Sequence, residues 1–97
     1  MGSITIDQDL IEKSDLSENE SVLVVDRTNG NRLQTYVIKG ERGSGTICMN
    51  GAAAHLIRQG DTIDIMAFTW SGTNVQPLFV AVDERNRFVS YVEPGSI

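Results

Sequence analysis

Ser21-Val22-Leu23-Val24-Val25-Asp26-Arg27-Thr28-Asn29-Gly30-Asn31-Arg32-Leu33-Gln34-Thr35-Tyr36-Val37-Ile38-Lys39 is the stretch that decides the fold class. Two β-rich runs, Ser21 to Arg27 and Arg32 to Lys39, flank Asn29-Gly30. Both residues of an Asn-Gly pair accept positive φ, which suits a tight hairpin turn. The polar Thr28 and Asn31 lengthen the loop. Along the second run, period-two alternation places Arg32, Gln34 and Tyr36 on one face and Leu33, Thr35 and Val37 on the other.

The same rhythm continues outward from this hairpin. Turn signals recur at Gly40 to Gly45, Gln59-Gly60-Asp61, Ser71-Gly72 and Asp83 to Asn86. Short strands are expected at Ser3 to Ile6, Thr46 to Met49, Thr62 to Phe68, Val75 to Val82 and Arg87 to Val92. In the Thr62 to Phe68 run, Ile63, Ile65 and Ala67 share one face and Thr62, Asp64 and Met66 the other. Pro77 makes its strand an edge or an irregular one. Two short helices are expected. Asp7 caps the first, through about Lys13, with Leu10 and Ile11 facing inward. Asn50 caps the second, Gly51 to Ile57, whose three alanines allow close packing on a sheet. Many short strands at even spacing imply an all-β barrel or sandwich.

The chain has 97 residues, enough for one small domain, spanning 1–97. Thirteen acidic against 8 basic residues give a net charge of −5, which argues against a nucleic-acid or anionic-membrane partner. No apolar run approaches a membrane span and no secretory signal is visible, so a cytoplasmic location is the default. Cys48 is the only cysteine and His55 the only histidine. Neither has the spacing of a metal site, so no metal is expected. Cys48 reads as a small hydrophobe in a buried strand. Gly40 to Gly45 matches neither phosphate-binding fingerprint and reads as a flexible turn. Arg32 can grip a carboxylate through two parallel hydrogen bonds and Tyr36 can donate a proton, but by pattern alone they mark an exposed strand face.

Several stretches together resemble the pyruvoyl-dependent aspartate 1-decarboxylases, larger catalytic chain. They are Gly2-Ser3-Ile4-Thr5-Ile6-Asp7, Glu18-Asn19-Glu20, Thr28-Asn29-Gly30-Asn31-Arg32 with Thr35-Tyr36, Glu41-Arg42-Gly43-Ser44, and Asn50-Gly51-Ala52-Ala53-Ala54-His55 with Gly60-Asp61. The likeness runs from Gly2 to about Phe68 and is loose after Trp70. It implies a double-psi β-barrel, assembled as a homotetramer with sites between subunits. It also implies conversion of L-aspartate to β-alanine and carbon dioxide, the step that feeds pantothenate synthesis. The cofactor would be a pyruvoyl group made from Ser3 by self-cleavage after Gly2, with Thr35 assisting. By the same resemblance Arg32 holds a substrate carboxylate and Tyr36 donates the proton to the carbanion. Asn50 and the backbone amides of Gly51, Ala52 and Ala53 hold substrate oxygens. His55 falls within the motif without a role.

Two departures stand out. Only Met1 precedes Gly2, where the family carries a segment supplying a barrel strand and a basic residue. The resemblance thus leaves open a larger chain with a separate short N-terminal chain, a shortened form, or a non-cleaving member. In the last, Ser3 stays serine and the barrel serves as a binding or assembly module or runs another reaction. The second departure is Asp64, where the family is usually apolar. A solvated face accommodates it; a changed pocket is the other reading.

Overall fold

The hairpin read from the sequence is the centre of the sheet. In a computed structural model describing residues 2–70, 72 and 76–93, the strands are β1 (Ile4–Asp7), β2 (Ser21–Asp26), β3 (Arg32–Gly40), β4 (Ile47–Met49), β5 (Ile63–Met66), β6 (Phe79–Val82) and β7 (Phe88–Val92). One α-helix, α1 (Gln8–Lys13), follows β1. A 3₁₀ helix spans Gly51–His55. The first five strands form one sheet in the order β4-β1-β3-β2-β5, and β6 pairs with β7. Among the described residues only β1 and β3 run parallel, with Ile4 beside Val37; the other pairs are antiparallel. The architecture is all-β, with one short helix and a curled sheet, as in the double-psi β-barrel.

Alternation makes the core. Val22 and Val24 of β2, Val37 of β3 and Ile4 and Ile6 of β1 are almost fully buried, with Leu10 and Ile11 of α1 and Ile57 closing over them. Each such side chain contributes about 1.5–3 kcal/mol over an exposed position. Ile47, Met49, Ile63 and Ile65 pack at the margin. Cys48, between Ile47 and Met49, alternates outward and is exposed, not the buried hydrophobe expected from its neighbours. Ala67 lies past the end of β5 and is exposed.

The loop of the central hairpin is longer than an Asn-Gly turn requires. Gly30 has φ +82°, while Asn29 does not enter the positive-φ region. Asp26 N donates to Asn31 O, and Gly30 N to Asp26 O. The extra asparagines reach across to the 3₁₀ segment. Asn31 Nδ2 donates to Leu56 O at 2.9 Å, and Asn29 Nδ2 reaches the same oxygen at 3.4 Å.

Asp7 caps α1 as expected, its Oδ1 accepting from Asp9 N at 2.8 Å. The same carboxylate accepts from Gly43 N at 3.0 Å and Gly45 N at 2.8 Å. Arg42 bridges Asp9 and Glu12 on the helix. The glycine-rich turn is therefore tied down to α1, not flexible. Positive φ at Gly43 and Gly45 lets its amides converge on one carboxylate. The second hairpin turns at Asp83 to Asn86, as the sequence indicates. Its first strand starts only at Phe79, after Pro77, and Val75 lies outside the described residues. It docks on α1: Tyr91 Oη donates to Lys13 O at 2.8 Å, and Lys13 Nζ sits 4.6 Å from the Phe88 ring centre.

Candidate active site

The segment Gly2-Ser3 enters β1 in extended form along β3. Continuing the parallel register back from Ile4 and Val37 sets Ser3 alongside Tyr36 and Gly2 alongside Thr35. Thr35 Oγ1 donates to the Gly2 carbonyl oxygen at 2.7 Å. On the other side β4 runs antiparallel to β1, and Asn50 N donates to Ser3 O at 2.8 Å. The Asn50 side chain then turns back on β1. Its Nδ2 donates to Ser3 Oγ and to Thr5 Oγ1, both at 2.9 Å. Ser3 and Thr35 are buried at 5 % exposure each, so these bonds form away from bulk water and are correspondingly strong.

Three consequences follow from this geometry. A hydroxyl donating to the Gly2 carbonyl draws charge onto its oxygen and makes its carbon more electrophilic. Ser3 Oγ accepts from Asn50 and keeps its own proton available for transfer. A Cβ at position 2 would collide with the Asn50 carbonyl oxygen. Only glycine brings the peptide before Ser3 this close to Asn50 and Thr35.

The other expected residues are placed less tightly. Alternation keeps Ser3, Tyr36 and Arg32 on the sheet face opposite Ile4 and Val37. Tyr36 is 42 % exposed, and Arg32 is exposed four residues back along β3, about 13 Å at strand rise. Among the described residues, neither side chain is held by a hydrogen bond to Ser3 or Asn50. Asn50 precedes the 3₁₀ helix but makes no side-chain cap bond to it; its amide is spent on β1. The expected α-helix to Ile57 is instead a 3₁₀ segment ending at His55. Of the alanines only Ala53 is buried, so the run does not pack three-deep on the sheet. Gly51 opens this segment at φ +68°. The amides of Gly51, Ala52 and Ala53, in the first turn of the helix, lack intrahelical acceptors. His55 is exposed. Among the described residues no group of three metal-ligating side chains comes together, and no helix is long and apolar enough to cross a membrane.

Thr5 was not anticipated from the sequence. The signal was present, since a residue two after Ser3 on a strand shares its face. Asp64 was singled out, and it has a simple partner: Arg27 Nε and Nη2 meet its carboxylate at 2.7 and 2.8 Å. It sits on the solvated side of β5. A cleft of about 560 Å³ lies between α1, Arg42 and β7 and contains none of the expected site residues. In a single chain Ser3 and Thr35 are buried, while Tyr36 and Arg32 stand on an exposed sheet face.

The sequence profile of the aspartate decarboxylase family matches residues 1–89. The chain belongs to that family. The match continues well past Trp70, further than the motifs alone suggested. Among its relatives is an aspartate 1-decarboxylase of Acetivibrio thermocellus, 53% identical over 93% of this chain and 75% of the relative. That of Caldicellulosiruptor saccharolyticus is 52% identical over 92% of this chain and 73% of the relative. That of Shouchella clausii is 46% identical, with 99% of this chain and 80% of the relative covered. Within an aspartate decarboxylase family member, the buried constellation of Gly2, Ser3, Thr35 and Asn50 is the natural place to look for chemistry.

Proposed function

We propose that this chain decarboxylates L-aspartate to β-alanine and carbon dioxide, using a pyruvoyl group made from Ser3 by cleavage after Gly2. The observation that carries this reading is the pair of partly buried hydrogen bonds, Thr35 Oγ1 to Gly2 O and Asn50 Nδ2 to Ser3 Oγ, on either side of the Gly2–Ser3 bond. In the cleavage, Ser3 Oγ bonds to the Gly2 carbonyl carbon and the Gly2–Ser3 amide C–N bond breaks, giving an ester. Thr35 stabilises the charge that collects on the Gly2 oxygen. Loss of the Ser3 Cα proton then expels the Gly2 carboxylate. Asn50 supports the developing charge on that departing oxygen. Water hydrolyses the remaining dehydroalanine, releasing ammonia and leaving a pyruvoyl terminus.

That group supplies an electron sink for the pair left by the departing carboxylate. The chain's own residues do the rest. Arg32 binds a substrate carboxylate, Tyr36 delivers a proton to the substrate carbon, and Asn50 with the amides of Gly51, Ala52 and Ala53 orients substrate oxygens. The exposed Tyr36, Phe68 and Trp70 support a homo-oligomer that covers this face, and the resemblance to the family makes it a tetramer.

The test is direct. Ser3→Ala abolishes decarboxylation and leaves the fold intact by circular dichroism; residual activity would rule out the pyruvoyl route. Arg32→Ala raises KM for aspartate by about tenfold or more, the loss expected of a charge-assisted bond. An unchanged KM would remove Arg32 from its role.

A further inference from the structure

We propose that Thr5 is a positioning residue, fixing the plane of the Asn50 amide so that Asn50 keeps donating to Ser3 Oγ. The proposal rests on Ser3 being the cleavage nucleophile. Asn50 has two side-chain N–H groups, and each finds a hydroxyl on β1, Ser3 and Thr5, at 2.9 Å. The backbone of Asn50 is already anchored to Ser3 O. What remains free is rotation of the side chain, and the terminal amide torsion is a broad, soft one.

A single bond to Ser3 leaves that rotation loose, and Ser3 is the very group that changes during reaction. Once its Oγ becomes an ester oxygen it is a poorer acceptor. Thr5 is chemically unchanged throughout, so it is the partner that holds the amide in place from start to finish. On the opposite edge of the amide, Oδ1 has among the described residues only the Cys48 thiol, a weak donor at 3.8 Å. Thr5 does not touch the bond that breaks. Its effect is transmitted through Asn50 alone.

The experiment compares the full chain with Thr5→Val, which keeps the shape and removes the hydroxyl, and Thr5→Ser, which restores it. Cleavage after Gly2 is followed by intact mass in a time course after refolding. Thr5→Val slows it about tenfold, the value of one hydrogen bond lost in a buried network. Thr5→Ser returns it to within about threefold of the parent. Equal rates for the parent and Thr5→Val overturn the proposal, as does a failure of Thr5→Ser to rescue. A second readout does not depend on cleavage. In a Ser3→Ala background the Asn50 side-chain amide protons exchange slowly with solvent, and adding Thr5→Val makes them exchange at the rate of a free amide. Rapid exchange in Ser3→Ala alone overturns the role of Thr5. If the parent chain does not cleave at all, the proposed function falls, and this exchange measurement still decides on Thr5.

Discussion

Two buried aspartates stand at opposite corners of the sheet, and the protein handles them in opposite ways. Asp7, at the end of β1, is 2 % exposed. Burial alone would push its carboxyl up, but the amides of Gly45, Asp9 and Gly43 outweigh it and hold the carboxyl below the usual value. Asp26, at the end of β2, is fully buried. One oxygen accepts from Thr28 N at 2.8 Å, and the other is buried without a donor. Burial pushes this carboxyl up, and hydrogen bonding to the Asp61 carboxyl raises it further. Asp61 is held down by that same bond and by the Arg58 amide. Of the two neighbouring carboxyl groups, Asp26 is thus the one that holds its proton to higher pH and Asp61 the one that ionises first. The difference is one of available donors. A glycine turn can aim several N–H groups at one point, whereas the strand end inside this hairpin offers fewer, and burial then raises the carboxyl instead of being outweighed.

Replacing Asp7 should cost most. Asp7→Ala leaves the amides of Asp9, Gly43 and Gly45 without their acceptor and is expected to destabilise the fold by about 3 kcal/mol in urea unfolding. A loss under about 1 kcal/mol would show that water replaces the carboxylate freely. The pH dependence comes next, and the two corners have opposite signs. The Asp7 contribution is full above its unfolded value, near 4, and is lost as pH falls through its depressed folded value. The Asp26 contribution is full below the unfolded value and is lost as pH rises through its elevated folded value. Asp26→Asn supplies an N–H to Asp61 in place of the proton. It should flatten the high-pH limb of the stability profile and leave the acid limb unchanged. A high-pH limb that persists in the variant would mean that Asp26 is not the group responsible. The smallest effect is expected at Arg27, whose ion pair with Asp64 is half exposed. Arg27→Ala should leave the midpoint of urea unfolding close to that of the parent.

What the sequence revealed follows the range of the forces involved. The central hairpin, the α1 cap and the inward faces of β2 and β3 are local matters of period and turn chemistry. They emerged where the residues indicated. Cys48 misled because its apolar neighbours Ile47 and Met49 face the core, and period two necessarily turns the residue between them outward. Asn50 misled because a good capping residue has a stronger attraction elsewhere: Ser3 and Thr5, 47 and 45 positions away. The parallel pairing of β1 with β3, which brings Thr35 to Gly2, leaves no local trace. The site residues were legible only through the family's motifs, and the hydrogen bonds that join them came from the fold.

The central claim is that Ser3 does not remain a serine. Intact mass spectrometry of the purified chain tests this most directly. We expect a product that begins at position 3 with a pyruvoyl group, together with release of the segment ending at Gly2 as a free carboxylic acid. A chain that stays uncleaved, with an ordinary Ser3 after prolonged incubation, would contradict the account.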